Sequence, residues 1–335
     1  MIVACDSGPE LARTLPGLVA EIGPGDEVLV VDNGSTVSPR EQVSQLLPEA
    51  RVIEMGTNAG FTAATNRGAA ESTGDIVLML NPDALPEPGF GASIREPYAG
   101  RPDWGAWMAL VACQIDGQKV VNSRANPVHF TGIAWAGGHG SPLSEVGGPA
   151  DIPVASGAAF AVRREVWRQV GGLPEEFFLY HEDIDLSIRI QASGHRIGLQ
   201  PQAVVDHDYD FHSNASKWFW LERNRLAMVI RNYPGPLLAL VAPALLATEL
   251  VLLLVSGRQG WLVAKLKSYR DLIRWLPRLR RERHGIQAAR RITPGEFAGL
   301  LTPDLDSPLI PAFARKGPVR AALRIYWRAV RALLD

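Results

Sequence analysis

Asn81-Pro82-Asp83 ends an apolar run, and a hundred positions on His181-Glu182-Asp183-Ile184-Asp185 follows Phe177-Phe178-Leu179-Tyr180. Each island sets carboxylates beside segments that read as buried. A buried carboxylate is costly unless it binds a metal ion, pairs with a cation or handles protons. The pattern predicts chemistry on a charged substrate.

The elements that must position these groups alternate in the manner of an α/β domain. Val28 to Val31 reads as a strand with Asp32-Asn33-Gly34-Ser35 as the turn after it, and Leu11, Leu15, Leu18 and Ile22 mark a helix before it. Val52-Ile53 is a short strand, Ala63 to Glu71 a helix, and Ile76 to Leu80 an apolar strand suited to a sheet centre. Asp32 and Asp83 therefore both fall just past strand ends, where open α/β sheets bind ligands. Further on, short strands are expected at Trp107 to Val111, Val154 to Val162 and Ala203 to Val205. Helices are expected at Arg164 to Val170 and Asp183 to Ser193.

The chain of 335 residues is long enough for one large domain or two medium ones. Its net charge of −1 conceals an asymmetry: residues 1–216 hold 13 Lys and Arg against 27 Asp and Glu, whereas 217–335 hold 21 against 8. We therefore expect an acidic catalytic domain over 1–216 and a basic helical region over 217–335. Cys5 and Cys113 are the only cysteines, which implies neither a disulfide framework nor a zinc site. With no basic-apolar leader before Ile2, a reducing cytosol is the expected setting.

In the second half, Leu237 to Val255 is almost wholly apolar and sits at the length threshold for a bilayer span. Two basic amphipathic stretches follow. The first has Leu262, Leu266, Tyr269, Ile273 and Leu276 opposite Lys265, Lys267, Arg270, Arg274 and Arg278; the second runs from Arg320 to Leu334.

Val30 to Ser35, Asn58-Ala59-Gly60-Phe61, Asn66-Arg67-Gly68, Asn81-Pro82-Asp83 and Phe178 to Asp185, taken together and in this order, resemble family 2 glycosyltransferases, especially their rhamnosyltransferase-like branch. The likeness covers roughly residues 1–225. It implies a GT-A fold: a Rossmann-like, mostly parallel central sheet flanked by helices. Here that fold is joined to a hydrophobic and amphipathic helical region suited to a membrane. It further implies a nucleotide-diphosphate sugar donor, Mg²⁺ or Mn²⁺, and inversion at the anomeric carbon.

Residue by residue, the resemblance makes Asp83 a metal ligand and Asp183 the general base. It makes His207 a second metal ligand, although a lone histidine after a strand is more often structural, and Asp206 or Asp208 could orient it. Asn81 resembles the first member of an Asp-x-Asp element but is uncharged, so it is expected at ribose or a water. Asp32 resembles the residue that hydrogen-bonds the base, or simply forms an Asx-turn. Asn58, Gly60 and Arg67 resemble donor contacts, Arg67 being equally readable as a surface arginine. The first strand departs from the family by reading Ala4-Cys5-Asp6, with Asp6 expected to reach the nucleotide. Gly157 resembles an exposed backbone position beside the acceptor or a buried strand glycine, and Glu182 belongs on the acceptor side. The spacing also predicts an Asp185–Arg189 pair.

Both flanks of the apolar run are expected on the cytoplasmic side, because the donor is cytosolic and Arg258 to Arg291 carries eleven Lys and Arg. The segment is then re-entrant or interfacial, bent at Pro243, or else a buried helix. The expected partners are a lipid-linked saccharide acceptor and an anionic membrane surface, with Arg223 and Arg225 meeting the acceptor's phosphates. Two rivals are transfer onto polyprenyl phosphate itself and a catalytically silent membrane-binding scaffold. Nucleic-acid binding fits poorly, because the positive charge alternates with Leu and Trp stripes.

Overall fold

The computed structural model describes residues 1–207, 215–306 and 317–334. Aliphatic runs form the first strands: β1 (Ile2–Ala4), β2 (Leu29–Asp32), β3 (Arg51–Glu54) and β4 (Ile76–Leu80). They pair in parallel in the order β3-β2-β1-β4, with Val3 opposite Val31 and Val31 opposite Ile53. The helices α1 (Gly8–Val19), α2 (Arg40–Leu46) and α3 (Phe61–Glu71) provide the crossovers. Next come the short β5 (Ala84–Pro86), α4 (Phe90–Gly100), β6 (Trp104–Ile115), β7 (Gln118–Ser123), β8 (Ala150–Asp151), β9 (Ala159–Arg163), α5 (Arg164–Val170), α6 (Glu182–Ala192) and β10 (Arg196–His207).

The sheet continues β4-β9-β6-β10-β5 beyond the parallel block. β9 is antiparallel to both β4 and β6, β10 is parallel to β6, and β5 is antiparallel to β10. The sheet is thus mixed rather than mostly parallel. Inserting β9 in reverse brings its first residues beside the carboxyl end of β4, with Leu80 opposite Ala159.

Three elements differ in extent from expectation. β6 and β10 are each 12 residues long, because they lie side by side in the sheet centre where Trp104, Trp107 and Ile197 are fully buried. Gly198 is required there: a Cβ would sit 2.2 Å from the Trp104 ring. Residues 154–158, expected in a strand, instead form the loop leading into β9.

By packing, the described chain divides into two units. The first comprises 1–125, 136–191 and 195–207; the second comprises 126–135, 192–194 and the described residues from 215 onward. The expected boundary at 216 lies at the start of the helical part, while 126–135 pack with that part. Phe130 stacks on Trp327 with ring centroids 4.9 Å apart, and Phe130 N–H donates to Thr302.

The second unit is built from α7 (Ala215–Asn232), α8 (Gly235–Gln259), α9 (Leu262–Ala289), α10 (Pro294–Ala298) and α11 (Gly317–Ala332). α8 runs as one helix through Pro243. It is not a buried helix, for only 6% of its apolar window is buried.

Candidate active site

The register collects the candidate groups of the first unit on one rim of the sheet. β1, β2, β4 and β10 end there, and β5 and β9 begin there. Asn81 sits in the turn out of β4: its N–H donates to Ala158 C=O at 2.9 Å and its C=O accepts from Ala84 N–H at 3.1 Å. The turn delivers Asp83 to the last residue of β10. Asp83 Oδ1 lies 3.2 Å from His207 Nε2, so the two expected metal ligands meet across 124 positions.

His207 is almost covered, while the Asp83 side chain keeps 25% of its surface open. Among the described residues no cluster of three His, Cys, Asp or Glu side chains forms. Among the described residues the donor set is one carboxylate and one imidazole. Asp206, on the alternate face of β10, accepts from Gln114 at 3.2 Å and faces Lys119; Asp208 lies outside the described residues.

Two contacts away along the rim is Asp183. The loop before β9 turns the Gly157 N–H onto Asp183 Oδ2 at 3.0 Å, and Ile184 N–H donates to Oδ1 at 2.8 Å. Gly157 is thus a loop residue whose backbone engages the candidate base; its Cβ position lies 3.4 Å from that of Asp183. Ser187 steadies the same loop by accepting from Ala155 N–H at 3.2 Å. Asp185 points inward to Arg189 at 2.6 Å, the pair that the spacing predicts.

Glu182 is buried, and its Oε2 has no hydrogen-bond partner among the described residues. Burial, and then the charge of Asp183, push its carboxyl up to about 8. At neutral pH Glu182 is therefore mostly protonated, so only a small fraction of it could act as a base. The native state holds a proton that the unfolded chain releases at the ordinary glutamate pKa, so this residue's contribution to stability falls as pH rises from that value to about 8. Glu182→Gln should flatten that fall. Thermal melts from acid to about pH 8 should show the variant overtaking wild type at the alkaline end, by on the order of a few kcal/mol; parallel curves would contradict it.

The chain entering α6 is strained. Phe178, Tyr180 and His181 all have positive φ, between 64° and 69°, a region that side chains with a Cβ seldom occupy. α3 holds this loop in place. Thr62 Oγ1 donates to Glu175 C=O at 2.9 Å, and the Asn66 amide both donates to Leu173 C=O and accepts its N–H, each at 2.9 Å. Gly60 permits the approach: its φ is 94°, and a Cβ would come within 2.8 Å of Phe178 Cα. Sequence reasoning gave Asn66 no such task, because its partner is 107 positions away.

At the ends of β1 and β2 the polar groups brace one another. Asp32 Oδ1 accepts from Ser35 N–H, three residues on, at 3.0 Å and so braces the turn after β2, one residue beyond the reach of an Asx-turn. Asp6, at φ 52°, accepts from Thr36 N–H at 2.7 Å. The Asn58 amide accepts from Gly60 N–H at 3.0 Å and from the Asn33 amide at 3.1 Å. Asp6, Ser35 and Gln42 line an open cleft of about 400 Å³ beside them. Arg67 is turned onto Glu71 at 2.8 Å on the exposed side of α3.

Arg223 and Arg225, expected at the acceptor's phosphates, are both buried in the second unit. Arg223 bonds Asp271 at 2.8 Å and lies over the Trp220 ring at 4.4 Å. Arg225 is only 2% exposed and is bound to Glu222, Glu249 and Thr131 C=O. Both cations are ion-paired with carboxylates of the second unit.

The model of glycosyl transferase family 2 matches residues 1–171, and that of glycosyl transferase family group 2 matches 105–269. An N-acetylglucosaminyl-diphospho-decaprenol L-rhamnosyltransferase from Mycobacterium tuberculosis is 30% identical over 230 residues, covering 61% of this chain and 74% of that protein. The O-antigen biosynthesis protein RfbC of Myxococcus xanthus is 29% identical over 65% of this chain and 17% of its own length. Among solved structures, GalNAc-T7 with UDP, GalNAc and Mn²⁺ superposes with a TM-score of 0.58 at 16% identity, over 71% of this chain and 49% of that one. S. aureus TarS 1–349 in complex with UDP-GlcNAc gives 0.53 at 16% identity, over 98% and 86%.

Proposed function

Because the chain belongs to the family 2 glycosyltransferases, with a GT-A fold and a rhamnosyltransferase-like sequence, we propose that it is a metal-dependent inverting enzyme. It moves a sugar, rhamnose being the first candidate, from a nucleotide-diphosphate donor to a hydroxyl of a lipid-linked saccharide. Its setting is the cytoplasmic face of the cell membrane, in the assembly of cell-envelope or surface polysaccharide. The observation that carries this reading is the shared rim: Asp83 and His207 at one point, and Asp183 two hydrogen-bonded links along it.

Asp83 and His207 would hold the divalent cation, Mg²⁺ or Mn²⁺, whose charge would offset that of the departing diphosphate. Asp183 takes the proton of the acceptor hydroxyl as that oxygen attacks the anomeric carbon. Its two oxygens are oriented by the N–H groups of Gly157 and Ile184. Glu182, neutral beside it, adds no second negative charge next to the base. Asp6, Asp32 and Asn58 shape the nucleotide end, and the cleft at Asp6 and Ser35 is of a size to take part of it.

Titration calorimetry with nucleoside diphosphates, with and without Mn²⁺, tests the metal step. Asp83→Asn should weaken Mn²⁺-dependent binding by at least the roughly 10–100-fold that loss of a ligand's supporting partner causes. Its melting temperature should stay near wild type. Binding that is equal with and without metal in the native protein would refute the reading. Product analysis separates the rival transfer onto polyprenyl phosphate, which would leave a phosphodiester in place of a glycosidic bond.

A further inference from the structure

α8 presents two unlike faces. Leu237, Val241 and Ser256 are buried, and Glu249 on the same side bonds Arg225, Lys265 and Tyr269. On the other side Leu246, Leu250, Val251 and Leu254 stand 47–68% exposed. After the turn at Gly260, α9 continues this exposed apolar surface with Val263, Leu266 and Ile273, which are 52–66% exposed. Among them Lys267, Arg270 and Arg274 are also exposed. Lys265, read from the sequence as part of the basic face, is instead buried against Glu222 and Glu249.

α8 is long and apolar enough to cross a bilayer. Two features argue against that course. Its inward face is bonded to charged groups of α7 and α9, and a crossing would draw the exposed cations of α9 into hydrocarbon alongside it. The mixture of large apolar side chains and cations on one exposed helix face is instead that of a segment lying in the headgroup plane.

We propose that the exposed faces of α8 and the first half of α9 form a monotopic membrane-docking surface. Leu246, Leu250, Leu254, Val263 and Leu266 enter the acyl boundary, and Lys267, Arg270 and Arg274 contact anionic phospholipid headgroups. The charge selects this occupant. In a two-fold dimer through the same patch, these cations would meet their own copies, whereas an anionic leaflet complements them. The proposal deepens the membrane setting given above, and its test involves no sugar transfer, so either can fail without the other.

The test is flotation of the full chain with vesicles of phosphatidylcholine alone or mixed with phosphatidylglycerol. Binding should require the anionic lipid and weaken with salt. The triple variant Lys267→Glu/Arg270→Glu/Arg274→Glu should bind about a hundredfold more weakly or worse, at about 1 kcal/mol per charge. Leu250→Glu/Leu254→Glu should abolish binding even at low salt. Because all five positions are exposed, the variants should melt with wild type, which confirms that a loss of binding is not a loss of fold. Equal flotation with both vesicle types, or no effect of charge reversal, would overturn the proposal. So would a wild-type dimer in sedimentation equilibrium that Leu250→Glu/Leu254→Glu dissociates, since a second copy would then be the occupant. Alkaline carbonate should release the protein from membranes; resistance to it would mean that α8 spans.

Discussion

Asp183→Asn should lower the turnover of sugar transfer by about 10²–10⁴-fold, the usual range for removing a general base, while leaving affinity for the donor nucleotide unchanged. The replacement keeps the shape of the side chain and one acceptor oxygen, so the bond from Ile184 N–H can persist. The Gly157 N–H loses its partner, a change of about 1 kcal/mol that a thermal melt would register. What the amide cannot do is accept a proton.

The competing assignment places the base at Glu182. A base must be ionised at the working pH, and burial beside Asp183 keeps the Glu182 carboxyl protonated up to about 8. The two assignments therefore predict different pH profiles. With Asp183 as base, turnover does not follow the Glu182 titration and Glu182→Gln retains most of it. With Glu182 as base, turnover would climb through about pH 8 and vanish in the Gln variant. Single-turnover transfer, combined with calorimetry on the same Asp183→Asn preparation, separates loss of chemistry from loss of binding. Transfer within tenfold of wild type would remove Asp183 from the mechanism.

Which of these features the sequence could disclose follows from the range of the interactions that fix them. The strands β2 and β4 were legible because an aliphatic run with a turn after it is a local signal. The Asp185–Arg189 pair was legible because one helical turn separates the two residues. β6 and β10 were underestimated because Gly105, Gly198 and Gln200 look unlike strand residues until each is seen against the other strand. The meeting of Asp83 with His207 depends on β5 reversing against β10, which no spacing announces; only likeness to a family pointed to it. Asn66 and Thr62 belong to the same class: their work is to hold a loop more than a hundred positions away. In sequence, Arg223 and Arg225 next to Trp218 to Trp220 look like a phosphate contact, because Asp271 and Glu249 lie on other helices; only the Glu222–Arg225 pair, three residues apart, was within local reach.

Arg225→Ala should destabilise the second unit by about 3–5 kcal/mol, the range for breaking a buried ion pair by removing one partner. Four charges meet there: Arg225 and Lys265 against Glu222 and Glu249, with the Tyr269 hydroxyl donating to Glu249 at 2.6 Å. Burial alone would raise the Glu222 carboxyl, but the adjoining Arg225 and Lys265 cations bring it down to about 2. Without Arg225, two carboxylates share one cation in a nearly dry setting. The sign with pH follows from the lowered carboxyl. A depressed folded pKa contributes stability above the unfolded value and loses it as pH falls toward about 2. The gap between wild type and Arg225→Ala should therefore be widest at neutral pH and narrow as Glu222 and Glu249 take up protons in the variant. Denaturant unfolding followed by circular dichroism at neutral and acid pH reads both quantities. Arg225→Leu combined with Glu222→Leu should recover much of the lost stability, since deleting a cation and an anion together restores charge balance and fills the space with apolar atoms. A variant as stable as wild type at neutral pH would mean that the cluster contributes no net stability and that Arg225 is available for other work, the acceptor's phosphates included.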